Sequence, residues 1–329
     1  MKKGWRIFLI VLGAIVLLLL FGPFLVPVPP LVGTLPPEQL ADPDSRFVEV
    51  NGIRVHYKMA GRGEPTLVLL HGFAASTYSW AKVMPALAEH GTVIAFDRPS
   101  SGLTERPLSW SGESPYSVEA MADLTVGLLD ALGVEKAVLV GHSAGGTVAV
   151  VTALRHPERV QGLVLVDPAV YTTGGPGSSA LLRLILQTPQ ANHLGPLLVR
   201  SIQSWGENIL DMAWHDPARI TAADREGYRK PLQAENWDRG LWELTRAARD
   251  LDLAGRLHEI AVPTLVITGD DDRIVPPADS VRLAGEIHGA RLAIIPDCGH
   301  IPQEEQPEAF LGAILDFLTA AGPSTPAPP

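Results

Sequence analysis

The chain has a single cysteine, Cys298, among 329 residues. An internal disulfide is therefore excluded, and with it a small fold stapled by cross-links. Charged residues make up only 19% of the chain and the formal net charge is −10. No basic patch gathers phosphates, so a nucleic-acid partner is not expected. No Cys/His cluster has the spacing of a zinc site, and no glycine loop has the form that cradles phosphates. These absences predict a reaction carried by side chains alone, with neither metal nor other cofactor.

Long apolar runs, by contrast, are present. Lys2, Lys3 and Arg6 precede a stretch from Ile7 to Val28 that carries no charge, enough to span a bilayer as a helix. Residues 1–6 then form a short basic tail, 7–28 a single-pass anchor and 29–45 a proline-rich, semi-stiff linker. A cleaved signal peptide is the alternative, but its apolar region is usually shorter and ends in an A-x-A-like site. Here the run ends among Pro23, Pro27, Pro29 and Pro30. The positive-inside rule leaves the tail in the cytoplasm and the body of the chain outside it.

From Arg46 onward, strand-like and helix-like segments alternate. Asn51-Gly52 separates two strand runs, a strong hairpin signal. Buried strands are expected at Thr66–Leu70, Thr92–Phe96, Ala137–Val140, Gly162–Val166, Thr264–Thr268 and Arg291–Ile295. Helices are expected near 78–89, 118–132, 145–155, 278–287 and 307–318. The alternation predicts an α/β fold, a doubly wound and mostly parallel sheet covered on both faces. It lapses between residues 169 and 261, where helical pieces read as a lid inserted over the strands' C-terminal edge. The core is thus 46–168 and 262–319, and 320–329 is a Pro/Ser/Ala-rich tail expected to be disordered.

The stretch Gly141-His142-Ser143-Ala144-Gly145 is G-x-S-x-G at a strand-to-helix joint. Such a turn raises a serine oxygen above the sheet edge, and its glycines permit the close approach of strand and helix. The serine also sits at a helix N-terminus, which favours developing negative charge. A serine hydroxyl needs a base, and the base needs an orienting acid. His300 follows the last predicted strand at that same edge. His71 and His142 lie beside the site and are expected to serve loop structure. For the acid, Asp270, Asp271 and Asp272 follow one strand and Asp167 another. Oxyanion donors are expected from the backbone N–H groups of Phe73 and Ala144. The Phe73 side chain can wall the pocket at the same time.

Four stretches in one order carry a resemblance: HGF at His71–Phe73, GHSAGG at Gly141–Gly146, GDDDRIVP at Gly269–Pro276 and GHIPQEEQP at Gly299–Pro307. From about Arg46 to Leu318 the chain resembles the α/β-hydrolase superfamily, in its lidded serine esterase and lipase branch. The resemblance implies Asp272 as the acid, three residues after the glycine of the third motif, with Asp167 as its competitor. It implies a structural role for Glu305. The family's D-x-x-G-x-G-x-[ST] loop is imperfect at Asp97–Thr104, where Ser100 replaces the first glycine. A serine rather than an aspartate at the elbow implies acyl-enzyme chemistry.

The expected function is a membrane-anchored serine hydrolase that cleaves carboxylic esters through Ser143, Asp272 and His300. Its partners would be a small-molecule or lipid ester, monoacylglycerol being one type, and the membrane. Apolar lid stretches at Ala180–Leu186 and Leu194–Val199 fit an acyl pocket, a bilayer-facing surface or the lid's own core. The alternatives are a C–C bond hydrolase or cofactor-free haloperoxidase of the same fold, and a non-catalytic ligand-binding relative.

Overall fold

The computed structural model describes residues 3–171 and 179–321. Eight strands form one sheet: β1 (Arg46–Val50), β2 (Ile53–Gly61), β3 (Thr66–Leu70), β4 (Thr92–Phe96), β5 (Ala137–His142), β6 (Val160–Val166), β7 (Thr264–Gly269) and β8 (Arg291–Ile295). Their spatial order is β1-β2-β4-β3-β5-β6-β7-β8. The hairpin forms as expected: Val50 pairs with Ile53 around Asn51 and Gly52, whose φ angles of 52° and 76° suit a tight primed turn. β2 runs antiparallel to both neighbours, and from β4 onward every pairing is parallel.

The helices are α1 (Lys3–Phe21), α2 (Met84–Leu87), α3 (Val118–Ala131), α4 (Ala144–Arg155), α5 (Ala180–Leu186), α6 (Pro189–Arg200), α7 (Ile202–Ala213), α8 (Ala222–Arg229), α9 (Trp237–Ala247), α10 (Pro277–Glu286), α11 (Pro302–Glu305) and α12 (Pro307–Ala321). Alternate residues of the central strands feed two cores. Val68, Leu70, Ile94, Leu139 and Leu165 pack with Met121, Leu128 and Val148 of α3 and α4. Leu67, Leu69, Val93, Val140 and Ile267 pack on the other face with Trp80, Leu87, Phe310 and Phe317. Burial on both faces explains why these strands read as unbroken apolar runs.

Three expectations need correction. No long helix forms over 78–89. A 3₁₀ turn at Thr77–Trp80, capped by Ser76, and the single turn of α2 take its place. The linker is docked in part rather than a free spacer, because its backbone and apolar side chains find partners. Leu35 exchanges hydrogen bonds with Gln233 and Glu235 at 2.8 and 3.0 Å, and Leu40 is buried with Leu103 and Ala234. The last helix continues to Ala321, past the expected start of the tail at residue 320. Residues 322–329 of that tail, and 172–178 of the insert, lie outside the described residues.

At the N-terminus, α1 passes into a 3₁₀ turn at Gly22–Leu25, where Pro23 cannot supply the N–H that an α-helix needs. Lys3–Leu25 makes one 23-residue helical run, apolar and long enough to cross a bilayer and with nothing buried. Between β6 and β7 the chain inserts helices α5 to α9.

Candidate active site

The elbow is built from close approaches that only glycine allows. A Cβ on Gly141 would lie 2.6 Å from Gly145 O, and one on Gly145 would lie 2.2 Å from Leu70 O. Strand β5 and helix α4 therefore touch backbone to backbone, and Ser143 between them is held at φ 52°, ψ −120°. A serine at positive φ is strained, and the surrounding structure must hold it there. Its N–H donates to Val166 O at 2.9 Å, and its carbonyl accepts from Gly146 and Ala169 at 2.9 and 3.1 Å.

His300 comes from the loop after β8. Its Nδ1 is 2.7 Å from Asp272 Oδ2. The other Asp272 oxygen accepts the N–H groups of Ile274 and Val275 at 2.7 and 2.9 Å. Both side chains are buried. Among the three adjacent aspartates, Asp271 instead pairs with Arg273 and His215, and Asp270 accepts from Cys298 N. Of the three, Asp272 is the one whose carboxyl meets His300. Asp167 lies close by: its carboxyl, that of Asp272 and the His300 ring each place an atom within 4.8 Å of the others.

Ser143, His300 and Phe73 all line one cavity of about 280 Å³. Among the described residues no hydrogen bond joins Ser143 Oγ to His300; such contacts often tighten only when substrate binds. Phe73 is 46% exposed and walls the cavity, as expected, while Ala144 opens helix α4. Neither Phe73 N nor Ala144 N donates to a protein acceptor among the described residues.

The two flanking histidines serve structure, as expected. His142 donates from Nε2 to His300 O at 2.8 Å, fixing the backbone of the histidine loop. Burial, then the neighbouring His300, holds His142 well below the usual imidazole range, so it stays neutral. His71 is pushed down to about 3 by burial and then by Arg98. It therefore accepts Arg98 N–H at Nε2 and donates from Nδ1 to Gly72 O.

Sequence reasoning missed Arg98. This buried guanidinium donates to His71 O and Gly72 O, each at 2.8 Å, and shapes the loop that carries Phe73 N. A basic residue at the end of an otherwise apolar strand was the available signal. Glu305 has the expected structural role: it accepts the N–H groups of His215, Asp216 and Gly299. The imperfect loop at Asp97 is held by that residue, which accepts from Thr77 N and Leu103 N while Gly102 packs against its carboxyl. A second chain of Ser, His and Asp also exists here. Ser45 Oγ is 2.8 Å from His56 Nε2, and His56 Nδ1 is 2.6 Å from Asp97.

The insert roofs the cavity with Ile202, Ile209, Leu210, Met212 and Leu232, beside Ile274 and Ile301 of the core. Two arginines at the roof are neutralised by acids of α7: Arg225 pairs with Asp211 at 2.7 Å and Arg229 with Glu207. Tyr228, also in the lining, donates to buried Glu304 at 2.6 Å and so ties α8 to the core.

Residues 65–307 match the family model for the alpha/beta hydrolase fold. The 2-hydroxymuconate semialdehyde hydrolase of Pseudomonas sp. (strain CF600) is 34% identical over 84% of the chain and 94% of that protein. The uncharacterized hydrolase YugF of Bacillus subtilis (strain 168) is 32% identical over 85% of the chain and 99% of that protein. Among solved structures, a mutant form of the meta-cleavage product hydrolase CumD is 28% identical, with TM-score 0.66, over 84% of this chain and 98% of that one. A membrane phospholipase A is 25% identical, with TM-score 0.68, over 98% of this chain and 100% of that one. The sheet order, the strained serine at the elbow and this matched span agree: the chain belongs to the α/β-hydrolase family.

Proposed function

We propose that the chain is a membrane-anchored serine hydrolase that is acylated on Ser143 and cleaves esters of apolar acyl groups. One observation carries the reading: a strained serine and a histidine oriented by a buried carboxylate face the same apolar cavity. In the mechanism this supports, His300 Nε2 takes the Ser143 proton as Oγ attacks the carbonyl. The Phe73 and Ala144 N–H groups hold the oxyanion, and His300 then protonates the departing alcohol. Water repeats the cycle on the acyl-enzyme and restores the serine.

The roof favours a neutral acyl chain, because both of its arginines are already paired. Several observations support a bilayer as the source of substrate. Gln190 and His193 of α6 hydrogen-bond Leu20 O and Val26 O, at 3.0 and 2.9 Å, and so join the insert to the end of the apolar helix. Leu181, Leu184 and Leu198 of that insert are exposed. The membrane phospholipase A match spans 98% of this chain, against 84–85% for the curated relatives above. Short basic flanks before the helix favour an extracytoplasmic catalytic body.

A second reading, cleavage of a C–C bond beside a ketone, is favoured by the curated relatives. Their names back it better than they back ester cleavage. The same triad serves that reaction if His300 protonates a carbon leaving group, but an anionic dienoate needs a free cation in the cavity. Assay of the full chain in detergent micelles separates the two. Esters of graded acyl length and a monoacylglycerol should turn over faster than a 2-hydroxy-6-oxodienoate. The reverse order would make the enzyme a C–C hydrolase. No turnover of either class, with no fluorophosphonate label at Ser143, would refute both readings.

A further inference from the structure

The two carboxyls that compete in the sequence for one role each place an oxygen within 4.8 Å of the other in the fold. Asp167 is fully buried at the end of β6. Its Oδ1 accepts from Thr268 Oγ1 at 2.7 Å and from Gly269 N at 3.2 Å, which ties it to the end of β7. Its Oδ2 is buried, and no N–H or hydroxyl group reaches it. Asp272 is better supplied, with two backbone N–H donors on one oxygen and His300 on the other. No Lys or Arg among the described residues bonds to either carboxyl.

Two ionised carboxylates in so small a buried space would repel each other, and burial would penalise both. One proton held between them removes the repulsion and converts the orphaned Oδ2 from an unmet acceptor into a donor. The group with more N–H donors keeps the charge, and that is Asp272.

We propose that Asp167 is a neutral carboxylic acid that donates its proton to Asp272, and is thereby a positioning residue for the acid that orients His300. The groups facing it are Asp272, His300 and, on the loop before His300, Cys298. Burial, then the charge of Asp272, pushes Asp167 well above the usual carboxyl range, in agreement. Its backbone is fixed as well: φ is 43°, its N–H donates to Ile267 O at 2.9 Å, and Pro168 follows. The inference rests on the triad reading above and adds to it a residue that carries a proton but does not touch substrate.

The test uses the full chain in detergent, with two variants and one spectroscopic measurement. The infrared difference between wild type and Asp167→Asn at pH 7 should contain a carboxylic-acid C=O band that shifts in D₂O. Asp167→Asn keeps an N–H for Asp272 and should lose no more than about tenfold in kcat. Asp167→Ala removes the donor and should lose about a hundredfold, as for a misplaced catalytic group. A loss on the order of 10⁴ in Asp167→Asn would make Asp167 an ionised triad acid and overturn the proposal. So would absence of the band, or full activity in Asp167→Ala. If Asp167→Ala does not fold, the band and the asparagine variant decide. Failure of the triad reading looks different: wild type would then lack turnover and label, whereas the band would still report the proton on Asp167.

Discussion

Replacing Gly145 by alanine tests how the elbow positions the oxyanion donors. The new Cβ would lie 2.2 Å from Leu70 O and 2.6 Å from His71 O. Carbon and oxygen do not approach so closely, so helix α4 and the end of β3 must part by roughly 1 Å. The carbonyls that move lead directly into Phe73, and His71 O is also held by Arg98 at 2.8 Å. A shift of that size costs about 10²-fold in rate, and loss of one oxyanion donor costs on the order of 10²–10³. Overpacking destabilises by roughly 1–3 kcal/mol, which the helix preference for alanine offsets by about 1 kcal/mol. Gly145→Ala should therefore lose at least about a hundredfold in kcat on a p-nitrophenyl ester, while Tm falls by at most about 8 °C. Gly285→Ala in α10 is the control, because nothing lies within 4 Å of its added methyl. It should keep wild-type kcat and raise Tm by roughly 2–4 °C. A Gly145→Ala enzyme within twofold of wild type would refute this account of the elbow.

Asp272→Asn should lose on the order of 10⁴ in kcat with little change in Tm; a loss below tenfold would remove Asp272 from the triad. Ser143→Ala should abolish fluorophosphonate labelling even though Ser45, with its own His and Asp, remains, and a surviving label would shift the nucleophile elsewhere. Burial pushes Glu304 up to about 8 from an ordinary 4.5, so the folded chain holds a proton that the unfolded chain releases. The contribution of Glu304 to stability is then full below about pH 4.5 and is lost as pH rises toward 8, and Asp167 acts in the same direction. Urea midpoints at pH 5 and pH 8 should show Glu304→Gln losing less than wild type over that interval, by a few kcal/mol at most. An equal decline in both proteins would contradict a protonated Glu304.

Much of this site was legible because its chemistry is local in the chain. Ser143, Asp272 and His300 each lie on a loop that follows an apolar strand, and strand order alone brings such loops to one edge. The glycines at 141 and 145 announce the close approach before any coordinate is known. The Asp167–Asp272 contact is different. It joins loops about a hundred residues apart, and from the sequence Asp167 reads only as a competitor to Asp272 for the acid's role. Arg98 could be noticed as a charge beside a buried strand, but its targets are backbone carbonyls, which carry no sequence signal. Residues 78–89 read as a helix because local propensity favours one. Trp80 and Leu87 instead break into short turns that fill the core against Phe310 and Ile314.

On the proposed reading of Ser143 as the nucleophile, hydrogen-bond connectivity alone does not make one, because a second set of Ser, His and Asp is present. Ser45, His56 and Asp97 are linked at 2.8 and 2.6 Å, as tightly as His300 and Asp272 at 2.7 Å. Ser45, however, closes its own turn by accepting Asp42 N, and Asp97 spends its other bonds on Thr77 and Leu103. That network satisfies buried polar groups and fastens the linker to the core. Ser143 is set apart by its surroundings. It is strained at positive φ, stands at the N-terminus of a 12-residue helix, and faces an apolar cavity. The helix terminus and free N–H groups favour an oxyanion that water would otherwise have to solvate, and the insert restricts that water. On that reading, reactivity follows from where the hydroxyl is held and what developing charge would meet there.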